Sequence, residues 1–188
     1  MTATPDLGTP PPPAPSPEAP GPAGPGPGPA GAGDAELLRA VFRRHAAGVA
    51  VITAAGERPT GFTATSLTSV SMDPPLLSFG VGTGSSSWPV FATAGYVGVH
   101  VLGEHQRELA ATFARSGADR FAPPTRWRTG PHGVPLLAGV PAWLVCEVTA
   151  RIPAGDHRLL IASPVAGDAS GAGRPLLHHQ GCFNALRD

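Results

Sequence analysis

Three neighbouring serines, Ser85, Ser86 and Ser87, precede Trp88-Pro89 at the expected start of a short helix. Serine hydroxyls accept from the free amides of a first helical turn, and proline suits that turn. The same amides and hydroxyls favour an anion, so the segment reads either as a plain serine cap or as a phosphate cradle. Just ahead, Gly80-Val-Gly82-Thr-Gly84-Ser85 follows a β-rich run, with Glu104 roughly twenty residues on, in the manner of a dinucleotide-binding strand-turn-helix. That reading is set aside, because Ser85 occupies the third glycine position, the helix is short and no second such unit follows. His157 comes directly after the turn Pro153-Ala-Gly-Asp156. An imidazole there either donates to a carbonyl or carboxamide of a bound molecule or caps its own hairpin. Arg120 stands in the polar stretch 119–133 with Arg126, Trp127 and Arg128, and long loops in compact domains are often functional. His178 and His179 are adjacent, so on a strand they face opposite ways and cannot chelate one metal. Cys146 and Cys182 are too few for a disulfide framework or a zinc site and read as packing residues.

These residues need elements to hold them. Leu38, Val41, Phe42 and His45 recur at helical spacing after Asp34, a candidate N-cap, and the helix should end near Gly48. The β-rich runs 49–53, 61–67 and 76–81, broken by Gly56, Pro59 and Asp73-Pro74-Pro75, read as successive strands. The serine turn opens a short helix closing at Gly95, and 96–102 is a further strand. A second helix is expected over 104–115, with Leu109 and Phe113 on its inner face. Segments 140–152 and 158–165 flank the 153–156 turn as a hairpin, and 175–179 supplies a last strand. Strands dominate, so the expected fold is mainly β, a closed or nearly closed antiparallel barrel with peripheral helices.

Composition narrows the function classes. Of 24 prolines and 25 glycines, 12 and 7 fall in residues 1–33, a tail too poor in apolar surface to offset its ordering entropy. Residues 34–188 are expected to form one domain. The 13 basic residues are all arginine, scattered, and balanced by 13 acidic ones, which gives no footprint for nucleic acid or an anionic membrane. No run reaches the roughly 18 apolar residues of a membrane span, and the N-terminus lacks a secretory pattern, so a cytoplasmic protein is expected.

Several segments together resemble the flavin reductase family: Gly48-Val-Ala-Val-Ile-Thr53, Gly61-Phe-Thr-Ala-Thr-Ser-Leu-Thr-Ser-Val-Ser-Met-Asp-Pro-Pro-Leu76, Ser86-Ser-Trp-Pro89, Gly98-Val-His-Val-Leu102 and Ala154-Gly-Asp-His157. They occur in order over 36–183. The resemblance implies an FMN-binding split β-barrel, antiparallel and Greek-key-like. It also implies a homodimer that passes hydride from NADH or NADPH to FMN or FAD and releases reduced flavin to a separate monooxygenase. By similarity, Thr63, Ala64, Thr65 and Ser66 hold the edge of the flavin ring, which needs a strand edge beside small side chains. Ser85, Ser86 and Ser87 would line the ribityl chain and phosphate, Arg120 would neutralise the phosphate, and His157 would stand on the nicotinamide side. Relatives usually carry Arg-Gly-Arg-Tyr near the end. Here the run is His178-His-Gln-Gly-Cys-Phe183, without cationic side chains at Gln180 and Cys182. Two other readings use the same barrel: a flavoprotein that keeps FMN and acts on a small molecule itself, or a flavin-binding module without dinucleotide activity.

Overall fold

The structure is a computed structural model and describes residues 31–186. Its first elements are α1 (Ala32–Arg44), β1 (Ala47–Gly48), β2 (Ala50–Ala54), β3 (Thr60–Ala64), β4 (Thr68–Met72), β5 (Pro75–Gly82), α2 (Trp88–Phe91) and β6 (Tyr96–Val101). A single 3-10 turn leads into α3 (Arg107–Ala114). There follow β7 (Trp127–Thr129), β8 (Pro135–Leu137), β9 (Ala142–Ala154), β10 (His157–Asp168), β11 (Leu176–His179) and β12 (Cys182–Ala185). Seven strands form one antiparallel sheet in the order β3-β2-β6-β9-β10-β5-β4. The protein is mainly β, as its sequence requires.

Strand β2 shows why the sheet curls. Ala50, Ile52 and Ala54 pack with Phe79, Val97 and Leu160 on one face, while Val51 joins Leu102, Phe113 and Leu176 on the other. Alternate side chains point to opposite faces of a strand, and here both faces are covered, so the run carries no polar residue except Thr53. Thr53 is buried because its hydroxyl donates to the Pro135 carbonyl at 2.7 Å. The long pair β9 and β10 turns through Gly155 and Asp156, with Gly155 at φ +59°, a conformation that favours glycine. Register shifts beside Ala162 and Pro164 bend this hairpin, and a bulge is where a strand tolerates proline.

Several expected boundaries move. The first helix begins at Ala32, and Asp34 lies inside it, its carboxylate accepting from the Gly31 amide at 3.1 Å instead of capping from outside. It ends at Arg44, because Ala47 and Gly48 pair with β11. The strand expected over 61–67 stops at Ala64, where the chain leaves the ladder with β2. The serine turn opens only the four-residue α2, and the loop 119–133 contains β7, which pairs with β8. Past His179 the chain continues into a second hairpin strand, β12.

A tether with later consequences runs through His100 of β6, which is fully buried. Its Nδ1 bonds the Val51 carbonyl at 3.1 Å and its Nε2 accepts from the Leu137 amide at 3.1 Å, so the ring is held neutral as its Nδ1–H tautomer. Burial without a charge partner pulls its pKa down to about 4. The β7–β8 segment thus hangs on the barrel through His100 and Thr53.

Candidate active site

β3, the first strand in the sheet order, and β5, the last but one, approach each other without forming a ladder. Among the described residues β3 pairs with β2 alone, leaving its other edge unpaired. The Ser66 hydroxyl accepts from the Gly80 amide at 2.9 Å, and the Ser87 hydroxyl donates to the Gly61 carbonyl at 3.2 Å. The chain 61–66 therefore runs antiparallel to 80–87 across a seam joined at its two ends by serines.

At the Ser66 end the seam runs beside two glycines of β5. Gly80 and Gly82, two apart on β5, face the same side. A β-carbon on Gly80 would sit 3.5 Å from Ser66 Oγ and 3.9 Å from His157 Cδ2, and one on Gly82 would sit 3.6 Å from His157 Nε2. The imidazole of His157 thus lies over the two glycines, with the Ser66 hydroxyl beside Gly80. The ring of His157 is half exposed, and its Nδ1 bonds the Asp156 carboxylate at 2.7 Å. That hydrogen bond and the neighbouring imidazole hold the Asp156 carboxyl below its usual pKa. The Thr83 amide and hydroxyl both donate to the Asp156 carbonyl, at 2.9 and 3.0 Å, fixing the turn against the end of β5. With Nδ1 taken, Nε2 is the ring nitrogen left for a bound molecule.

At the Gly61 end, Arg120 reaches in from the loop after α3. Its Nη1 donates to Ser87 Oγ at 3.2 Å and its Nη2 to the Arg115 carbonyl at 2.9 Å, while its buried Nε has no partner. Burial lowers the guanidinium pKa from its usual value. The exposed Ser86 side chain, Arg58, Thr60 and Asp119 line the same cleft, about 440 Å³ in volume. A buried donor without an acceptor is costly, and an anion would supply one.

The structure brings Ser66, Ser86, Ser87, Arg120 and His157 along one seam and gives them different tasks. Thr63 turns inward, its hydroxyl donating to the Ala110 carbonyl of α3 at 2.6 Å, and Ala64 packs in the core. These two offer a ligand only their backbone. Thr65 is exposed. Ser85 accepts from the Ser87 amide at 3.2 Å ahead of the helix, and Ser87, fully buried, secures Gly61 instead of capping α2. Arg126, Trp127 and Arg128, on the same loop as Arg120, go elsewhere: Trp127 stacks edge-on against Phe121, and Arg128 lies over Trp143. Cys146 is buried, which pushes its thiol up to about 12 and removes it as a nucleophile. Sequence reasoning missed Gly80, Gly82, Arg58 and Asp156. The first two were visible as glycines at strand spacing, but the dinucleotide-like pattern around them drew attention to the turn instead.

The fold is thus an antiparallel barrel parted along one seam, with His157 over two glycines at one end and the unpartnered Arg120 Nε at the other, and the sequence comparison names the class to which it belongs. The chain belongs to the flavin reductase like domain family, whose model matches residues 42–187. It is 45% identical over 150 residues to an NADH:FMN oxidoreductase of Rhodococcus qingshengii, covering 77% of this chain and 78% of that one. Among solved structures, a flavin reductase domain protein from Arthrobacter sp. FB24 is 39% identical with a TM-score of 0.77, covering 82% of this chain and 96% of the other. The styrene monooxygenase flavin reductase from Pseudomonas putida S12 is 31% identical with a TM-score of 0.72, over 80% of this chain and 97% of its own.

Proposed function

We propose that the protein is an NAD(P)H-dependent flavin reductase that reduces FMN or FAD and releases the reduced flavin to a partner monooxygenase. The observation that carries this reading is the seam itself: an unpaired strand edge, a histidine lying over two glycines of β5, and an arginine with an orphaned donor at the far end. Bound flavin supplies the redox chemistry by accepting hydride from NAD(P)H at its N5. The chain supplies position. Backbone at 63–66 meets the polar ring edge, Ser86 and Arg120 hold the phosphate, and His157 Nε2 orients the nicotinamide or the flavin carbonyl edge.

The phosphate assignment has its own test. Changing Ser86→Ala together with Arg120→Gln should weaken FMN by about 1 to 3 kcal/mol, the size of lost charge-assisted bonds, while riboflavin binding changes little. Fluorescence titration of both flavins measures this, and equal weakening of the two would move the phosphate elsewhere.

The same reading includes a homodimer. Leu38, Val41 and Phe42 of α1 are each more than half exposed, and Met72, Leu76, Val101 and Trp143 line a second, apolar cleft of about 690 Å³. Apolar faces of this extent favour association. Sedimentation should therefore give twice the 19.0 kDa chain mass, and Met72→Glu with Val101→Glu should yield monomer. A parent that sediments at one chain mass removes the dimer. Among the described residues no helix is long and apolar enough to cross a membrane. A cytoplasmic location suits a protein that draws on nicotinamide nucleotides.

A further inference from the structure

The last hairpin lacks the cationic side chains that the family resemblance led one to expect at positions 180 and 182, and the structure shows arginines arriving at the same place from another element. The cleft at the Ser66 end of the seam, about 850 Å³, is lined by Thr65 and Ser66 on one side, by His178 and Gly181 on another, and by Arg39 and Arg43 of α1. The Gln180 amide donates to the Arg43 carbonyl at 3.0 Å, so this part of α1 is fixed against the hairpin turn. A β-carbon on Gly181 would lie 3.8 Å from Arg43 Nη2, which puts the guanidinium over that turn. Neither arginine side chain makes an ion pair or hydrogen bond with a described residue, and no acidic residue lines the cleft. Residues four apart on a helix stand one turn apart on one face, so the pair presents two adjacent positive forks.

We infer that Arg39 and Arg43 bind the diphosphate of the nicotinamide nucleotide, replacing from α1 the charge missing at Gln180 and Cys182. The inference rests on the flavin reductase reading. A diphosphate also occurs in FAD, but the flavin phosphate cleft lies at Thr60 and Gly61, the opposite end of β3 from Thr65 and Ser66. A second flavin phosphate adjoins the first and so belongs at the far end. A nicotinamide placed beside His157 instead leads its own diphosphate out past Ser66 into the arginine-lined cleft.

The test uses the full chain with Arg39→Gln and Arg43→Gln combined, and the double lysine variant beside it. In steady-state assays with FMN the glutamine variant should raise KM for NADH by about tenfold or more, and lysine should restore part of the loss, because a point charge replaces a fork. The increase of KM with ionic strength in the parent should flatten in the glutamine variant. Dissociation constants for FMN and FAD should match the parent's. Calorimetric titration with NAD+ gives a reading independent of turnover, and a parallel loss of affinity there supports the assignment. A KM and NAD+ affinity within twofold of the parent overturn it, as does a selective loss of FAD over FMN, which would assign the arginines to the flavin. A parent that binds NADH but reduces no flavin sinks the flavin reductase reading and leaves the calorimetric arm to decide on the arginines. A parent that binds no NADH removes both.

Discussion

Replacing His157 with alanine should slow hydride transfer to bound flavin roughly ten- to a thousandfold, the range expected when one positioned polar group is removed from a reacting pair. The expectation follows from how the ring is held. Asp156 engages Nδ1 at 2.7 Å, Thr83 pins the turn to β5, and the imidazole lies over Gly80 and Gly82 with Nε2 left free. The side chain is 53% exposed and its partner 92% exposed, so folding should be almost unaffected. Flavin affinity should also stay close to the parent's if the phosphate binds at the other end of the seam, as proposed. Asp156→Asn keeps an acceptor but loses its charge, and its rate should fall between those of the parent and His157→Ala. Single-turnover stopped-flow mixing of flavin-loaded protein with NADH, together with a thermal melt, reads both quantities. An unchanged transfer rate in His157→Ala, with stability lower by about 1 kcal/mol, would reduce His157 to a cap on its own hairpin.

A second large effect is expected on acidification, from a histidine far from the chemistry. His100 titrates near 6.5 when free and near 4 in the fold. Between those values the unfolded chain binds more protons than the folded one, so stability falls as pH falls. The contribution is intact above pH 6.5, erodes through the window and is gone below pH 4, a loss of about 3 kcal/mol. Protonation takes away the acceptor for the Leu137 amide, so β8 should loosen first. Urea midpoints from pH 7.5 to 4.5 for the parent and for His100→Gln would show it. The glutamine variant should start less stable and lose less over that range. Parallel profiles in the two proteins would mean that other groups govern acid sensitivity.

The barrel was legible because its strands carry β-rich residues in runs separated by glycine and proline, and both faces of β2 are apolar. Segments that depend on partners distant in sequence were harder to read. Ala47 and Gly48 look like a helix end and become a strand only because β11 lies beside them. Trp127, Arg128 and Thr129 sit in a polar, proline-rich context that local propensity scores as loop, and their pairing with β8 is fixed by the buried bonds of Thr53 and His100. At the candidate site, residue types picked out segments that the structure brings to one seam, but the direction of each side chain had to come from packing. Thr63 and Ser66 are both small hydroxyl residues near the end of one strand. One is drawn inward by the Ala110 carbonyl and the other across the seam by the Gly80 amide, and neither partner is near in sequence. Arg120 is set apart from Arg126 and Arg128 by its bonds to Ser87 and to the Arg115 carbonyl, which no local pattern announces.

The seam that joins 61–66 to 80–87 also bears on how quickly the protein can let go of what it holds. A strand ladder would close this line with a row of backbone bonds, each helping the next. Here two serine hydroxyls do it, at 2.9 and 3.2 Å, each contributing about 1 kcal/mol net. Parting either end of the seam therefore costs little compared with unfolding a strand pair, while between the ends Phe62 packs against Phe79 and Phe91 and keeps the core closed. For a reductase whose product must leave before it is useful, the weak line and the strong core fall in different places, so turnover can proceed by brief local opening while the barrel as a whole stays folded.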